Sequence, residues 1–192
     1  MQWPLTPRAL KTYTAPVNPA QPANTPSLTF RPATRDDCPK LAELNHQLIR
    51  DEGHPNPMTL PDLEQRLRNW LAGEYQAVIY EQAGEVVAYA LYREQPTEIY
   101  LRQLFVVRHH RREGVGRRAV EILHTQIWPK TKRLTVEVLS ANHPGVAFWR
   151  QVGYKDCGRT ANCLLLEIVP DSPPASSARP TLFPTGKTPN PL

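Results

Sequence analysis

The sequence predicts a mixed α/β fold: one mostly antiparallel sheet, helices on both of its faces, and a single parallel strand pair near its middle. Three observations carry this. Helical and strand periodicities alternate between about residue 27 and residue 168. Residues 98–139 read strand, helix, strand, a unit whose two strands run parallel through a right-handed crossover. The remaining strand connections are short enough for hairpins, which makes the rest of the sheet antiparallel.

Taken in order, "SLTFRPAT" is an edge strand, because Pro32 lacks the amide donor that an inner strand needs. Thr34 and Asp37 stand at capping-box spacing before Leu41, Leu44 and Leu48, which predicts a first helix reaching Arg50. Gly53, Pro55 and Pro57 break it. Thr59 then caps a second helix carrying Leu60, Leu63, Leu67 and Leu71. From Tyr75 two β-rich runs flank Ala83-Gly84, a hairpin, and "EIYLRQLFVV" follows Pro96 as a third run. "GVGRRAVEILHTQIW" places Val115, Ala119, Ile122 or Leu123, and Ile127 on one helical face until Pro129. "RLTVEVL" alternates as a strand, and "NHPGVAFWRQVGY" suits a short helix with Pro144 in its first turn and Gly153 past its end. "ANCLLLEI" is the last strand.

Of the 21 prolines, six fall in residues 1–26 and seven in residues 170–192, so both ends read as extended tails. The expected organisation is a Pro-rich disordered tail over 1–26, one domain over 27–168 and a second Pro-rich disordered tail over 169–192. With no apolar run of about 18 residues and no signal-peptide core, the expectation is a soluble, cytoplasmic protein. Cys38, Cys157 and Cys163 are an odd number without CxxC spacing, which disfavours a disulfide framework or a zinc site. No metal is expected, since His109, His110, Glu113 and Glu121 do not form a ligand spacing.

The net charge of +5 is concentrated in "RHHRREGVGRR", where Glu113 alone opposes five arginines between Arg108 and Arg118. A general nucleic-acid binder carries several basic patches interleaved with aromatics, so this isolated run favours a compact phosphate ligand. Gly114 and Gly116 stand where a strand ends and a helix begins, which lets a ligand approach the unpaired amides of the first turn; Arg111, Arg112, Arg117 and Arg118 add charge. Neither GxxxxGK[ST] nor GxGxxG is present, which disfavours an NTPase or a dinucleotide dehydrogenase. The alternative is a solvated basic face beside a tight turn.

Arg111-x-x-Gly114-x-Gly116, directly after "LRQLFVV" and directly before a helix, resembles the acetyl-CoA loop of the GNAT superfamily of N-acetyltransferases. "AFWRQVGY" resembles that family's penultimate-helix signature, and Asn142 stands where many members place an asparagine beside the cofactor. The resemblance spans residues 27 to about 168, in the family's order of strand, two helices, three strands, loop, helix, strand, helix and terminal strands. "LNHQLIRDEGHPNPM" with "YLRQLFVVRHHRREGVGRRA" looks like a bacterial branch of undefined acceptor.

The resemblance implies acetyl-CoA as co-substrate and a primary amine of a small molecule or peptide as acceptor, with no nucleic acid, no membrane and a possible homodimer. It implies that Phe105, Val106 and Val107 offer main-chain groups to pantetheine where the parallel strands splay. The loop Arg111, Arg112, Glu113, Gly114, Val115, Gly116 and Arg117 would cradle the pyrophosphate, with Asn142 and Phe148 along the pantetheine arm. Phe105 and Phe148 as core, and Asn142 as a helix cap, are the plain structural alternatives. Glu98 and Tyr100 share a strand face at the start of the strand leading to the loop and are the candidate base or water-positioning groups. The acceptor is expected against the loop between the first two helices, where Asn45, Asp51, Glu52 and His54 form a partly acidic set suited to a cationic amine. Trp149 replaces the family's acid tyrosine, and an indole supplies no titrating proton. Competing readings are a non-catalytic acyl-CoA-binding module and a basic nucleic-acid-binding protein.

Overall fold

The computed structural model describes residues 27–53 and 55–170. The expected tails over 1–26 and from 171 on, and His54, lie outside the described residues.

Seven strands form one sheet in the order β1-β2-β3-β4-β5-β7-β6: β1 Thr29–Pro32, β2 Tyr75–Gln82, β3 Glu85–Glu94, β4 Glu98–Val106, β5 Arg133–Leu139, β6 Lys155–Arg159 and β7 Cys163–Ile168. Among the described residues every neighbouring pair is antiparallel except β4 and β5, the one parallel pair there. Helices α1 (Cys38–Asp51) and α2 (Leu60–Ala72) pack on one face, with Leu41, Leu44, Leu63 and Leu67 buried against Ile79, Tyr89, Leu91 and Phe105. Helices α3 (Val115–Ile122) and α4 (His143–Gln151) cover the other, with Val115, Ala119, Val146 and Trp149 against Ala88, Ala90, Leu101, Val136 and Leu166.

Local signals set the element ends. The Thr34–Asp37 capping box forms, heading a single 3-10 turn over Arg35–Asp37 before α1 begins at Cys38. Thr59 caps α2, exchanging hydrogen bonds with Asp62. Ala83 (φ 51) and Gly84 (φ 83) both adopt the left-handed region, the conformation that a two-residue hairpin between twisted strands requires.

Two departures from the expected elements stand out. β6 carries no apolar alternation, and all five of its residues are exposed, so periodicity does not mark it; its pairing with β7 defines it. Helix α3 does not continue regularly to Trp128 but loosens into a π turn over Leu123–Ile127, with Trp128 N–H donating to Leu123 C=O at 2.8 Å. That extra residue seats Trp128 edge-on against Tyr92, ring centroids 5.3 Å apart.

The centre of the sheet opens the site. β4 and β5 pair only from Glu98↔Arg133 to Leu101↔Val136, although β4 runs on to Val106 and β5 to Leu139. Opposite β3, the partner jumps from Leu101 to Gln103, so Arg102 is an extra, bulged residue where the two strands part. Beyond it β4 keeps one edge on β3 and leaves the other unpaired with β5.

Candidate active site

A cleft of about 1050 Å³ lies between the parted strands, with walls from α1, α2, α3 and α4. At one end stands the loop after β4. Gly114 (φ 83) is the residue before α3, a left-handed position that a side chain would strain. A Cβ on Gly116 would meet Phe148 Cε2 at 3.4 Å and Val106 Cγ2 at 3.5 Å, ordinary contacts with two residues that line the cleft beside it.

The five arginines of the run have different partners. Arg108 and Arg111 both grip Asp51 at the end of α1, Arg111 at 2.5 Å, and Arg111 Nε also donates to Val106 C=O at 2.8 Å. Arg118 pairs with Glu121 at 2.7 Å. Arg112 and Arg117 line the cleft and meet no acidic or hydrogen-bonding partner among the described residues. Arg112 holds φ 69, in the left-handed region. Two unpaired guanidiniums beside the free amides of a helix N-terminus are the donor set that a pyrophosphate takes. Acetyl-CoA fits this chain on that ground and on a second one: an unpaired strand edge beside it for an extended amide-bearing arm.

The edge of β4 that faces the cleft is offset by one residue from the expectation. Val107 N–H donates to Val87 C=O at 2.9 Å, toward β3. Main-chain groups alternate between the two edges of a strand, so Phe105 shares the β3 side with Val107, and Leu104 and Val106 face the opening. Phe105 is 2% exposed, its ring 6.1 Å from Tyr89. Val115 is core, while Glu113 faces solvent beside His110 at 3.3 Å; neither lines the cleft. Asn142 does line it, and it also caps α4 by accepting Gly145 N–H at 2.9 Å. A Cβ on Gly145 would come within 2.7 Å of Asn142 Nδ2, which explains a glycine there. Phe148 stands on the same wall.

At the other end of the cleft is Tyr100, about 20 Å from Val106 by the rise of a strand. Burial and then the Glu137 carboxylate push its phenol above the usual value, while Arg102 and Arg93 pull it back. Glu137, on β5, is the acid that sequence reasoning missed; it lies across the parallel pair, more than thirty residues from Tyr100, with only the alternation of "RLTVEVL" to place it on the opposite face from Val136 and Val138. Glu98 does not line the main cleft. It borders a separate hollow of about 410 Å³ and faces Arg133 at 3.8 Å, because the strands are still paired at its level.

Of the expected acceptor set, Asp51 and Glu52 line the cleft and Asn45 does not. Asn45 is fully buried, accepting from Arg66 at 2.7 Å and donating to Tyr89 at 3.3 Å. Burial pushes the Asp51 carboxyl up, but the hydrogen bonds from Arg108 and Arg111 outweigh it and hold the group below the ordinary carboxylate range. Of that set, Glu52 remains exposed on the cleft. Trp149 is 6% exposed, edge-on to Phe148 and Tyr154. Away from the cleft, Glu85, His109 and His110 bring possible ligand atoms within 4.8 Å of one another, a grouping hidden from spacing because Glu85 comes from the hairpin.

No helix among the described residues is long and apolar enough to cross a membrane. No curated protein matches the chain in sequence. The fold is shared with an acetyltransferase from Thermus thermophilus (21% identity, TM-score 0.65, 74% of this chain and 96% of that one). It is shared also with the paia N-acetyltransferase of Thermoplasma acidophilum in complex with coenzyme A (13%, 0.61, 73% and 98%). The ribosomal-protein-alanine N-acetyltransferase of Brucella melitensis is a third (20%, 0.59, 73% and 99%). The model of the acetyltransferase (GNAT) family matches residues 42–154, which contain the parted strands, the arginine loop and α4. The chain belongs to the GNAT acetyltransferase family.

Proposed function

We propose that this protein transfers an acetyl group from acetyl-CoA to a primary amine by direct attack of the amine on the thioester. The observation that carries the reading is the parted β4–β5 pair ending at α3 with Arg112 and Arg117 on the cleft, unpartnered among the described residues. In this reading Arg112, Arg117 and the first-turn amides hold the pyrophosphate, and Leu104 and Val106 hold the pantetheine arm through main-chain groups. The thioester supplies an activated acyl carbon. Amides on the free edge of β4 stabilise the charge that develops on its oxygen.

An aliphatic amine is mostly protonated at neutral pH, its pKa being about 10.4 for a lysine-like group and about 8 for an α-amine. A base must take that proton. Glu137 is exposed on the cleft and close enough to Tyr100 to raise its phenol, so we assign Glu137 the base and Tyr100 the positioning of the amine or of an intervening water. The coenzyme A complex of the Thermoplasma acidophilum protein supports the same ligand class for this fold. The reading is tested by thiol release from acetyl-CoA with an amine panel, beside calorimetric binding of acetyl-CoA. Binding without turnover on any amine would replace it with a non-catalytic acyl-CoA-binding module.

A further inference from the structure

The wall of the cleft around Tyr100 is a ladder of arginines and aromatic rings drawn from α2, β2, β3 and β4. Arg66 and Arg102 approach the Trp70 ring at 4.7 and 4.6 Å from its centroid. Trp70 lies 5.4 Å from Tyr75, and Arg102 is also 5.9 Å from that ring. Arg93 bridges Tyr75 and Tyr100 at 5.9 and 5.2 Å. Arg93 has a carboxylate partner, Glu74 at 3.3 Å. Arg66 and Arg102 have none among the described residues, and both line the cleft.

Arg66 is the more constrained of the two. Its guanidinium donates to Asn45 Oδ1 at 2.7 Å and to Met58 Sδ at 3.2 Å, and its Nε is buried without a partner. Burial and then the like charge of Arg102 depress its pKa. Asn45 is itself held by Tyr89, which donates to Gln103 at 3.1 Å, so the arginine is pinned by a partly buried hydrogen-bond network. Two like charges, one partly desolvated and fixed in place, are unfavourable in the free protein unless an anion completes the site. A ring against the face of a guanidinium leaves the donors on its edge available, which is the geometry for a carboxylate or phosphate.

We propose that the acceptor is a compact primary amine that also carries a carboxylate or phosphate, held by the unpaired Arg66 and Arg102 on Trp70 while its amine faces Glu137 and Tyr100. The proposal rests on the acetyltransferase reading and names its substrate class. It reverses the charge that the acidic residues at the end of α1 suggest, because Asp51 is bound by Arg108 and Arg111.

The test uses the full chain, acetyl-CoA and matched acceptors: glycine against glycinamide, phosphoethanolamine against ethanolamine, and spermidine as a polycation. The expected result is a kcat/KM at least about tenfold higher for the member carrying the carboxylate or phosphate than for its twin without it, with the favoured pair identifying which anion is held. Arg102→Gln, at an exposed position, should collapse that preference to within about twofold, with the loss appearing in the KM of the anionic member and acetyl-CoA affinity retained; Arg66→Lys, which keeps charge but loses the fork, should reduce it. Preference for the twin without the anionic group or for spermidine, or an anionic preference that survives both variants, overturns the proposal. If acetyl-CoA binds and no amine turns over, the enzymatic reading fails separately. Calorimetry of N-acetylglycine and of N-acetyl phosphoethanolamine into coenzyme A-saturated protein then decides this one: binding lost in Arg102→Gln supports it, and no binding of either rejects it.

Discussion

The two ends of the cleft are both rich in arginine, yet they are built in opposite ways. At the loop end, five arginines lie within eleven consecutive residues, and their roles diverge through their partners: Asp51 holds two, Glu121 one, and Arg112 and Arg117 line the cleft with no acidic partner among the described residues. At the Tyr100 end, Arg66, Arg93 and Arg102 come from three separate elements and converge on aromatic rings. A contiguous loop that recognises phosphate through main-chain amides and glycines leaves a local signature. A pocket assembled from one residue per element leaves none, because helix packing and the bulge at Arg102 decide which side chains meet.

The largest expected effect tests the loop end. In Gly116→Val the Cβ itself fits, at ordinary contact with Phe148 and Val106, but the two methyls beyond it add bulk at a residue that lines the cleft. Acetyl-CoA affinity should fall by more than about 100-fold, roughly 2.7 kcal/mol, with the circular dichroism spectrum and melting curve of a folded protein. A folded variant with wild-type affinity by calorimetry would remove the pyrophosphate assignment and with it the contrast between the two ends.

Next in size is a pair of carboxylates on neighbouring strands. Glu137→Gln should lower kcat/KM by about 10²- to 10⁴-fold, the range for loss of a positioned base, with acetyl-CoA affinity retained. Glu98→Gln should stay within about threefold, since Glu98 faces Arg133 below the point where the strands part. The opposite ranking in steady-state assays would return the base to β4.

The legibility of the sequence follows the same division. Thr59 and Ala83-Gly84 announce a helix start and a hairpin because each signal is local, complete within one or two residues. β6 is silent because every residue of it is exposed. In the proposed site, Gly114, Gly116, Arg112 and Arg117 from the expected loop do line the cleft, but the edge of β4 is offset by one residue, a distinction set by the Val107–Val87 hydrogen bond across the sheet. Asp51 misleads in an instructive way. Its acidity is visible in "RDEG", whereas its neutralisation by arginines more than fifty residues away is not.

That last point converts into an intermediate effect. Asp51→Asn should weaken acetyl-CoA by about three- to tenfold, by releasing Arg108 and Arg111 from the end of α1, and should change the KM of the amine less. The pH dependence has a definite sign. A carboxylate with a depressed pKa is fully ionised above its ordinary value of about 3.9, and the pair is lost only as pH falls through the depressed value. Acetyl-CoA affinity should therefore show no Asp51-dependent change between about pH 5 and about pH 8. Calorimetry of wild type and variant across that range checks both statements, and a selective loss of amine affinity would restore Asp51 to the acceptor end.

The smallest expected effect concerns the residue between the two ends, Trp149. Its indole is packed edge-on against Phe148 and Tyr154 and cannot supply a titrating proton. Tyr154 is no substitute acid within reach of solvent: it is 2% exposed, burial pushes its phenol far up, and its hydroxyl lies 3.2 Å from His124 Nε2. A thiolate whose conjugate thiol has a pKa of about 8.5 departs near neutral pH without full protonation, so the reaction tolerates the loss of a donor at this position. The rate then depends on deprotonating the amine and not on protonating sulfur, and kcat/KM should rise with pH to a plateau in place of a bell. Trp149→Phe keeps an aromatic in the packing and should cost less than about tenfold, roughly 1.4 kcal/mol of transition-state stabilisation. Tyr154→Phe should cost no more. Rates from about pH 6 to about pH 10 for wild type, Trp149→Phe, Tyr154→Phe and Tyr100→Phe separate the cases: an alkaline limb that vanishes in one tyrosine variant identifies a proton donor to sulfur, and a shared plateau shows that the thiolate leaves unaided.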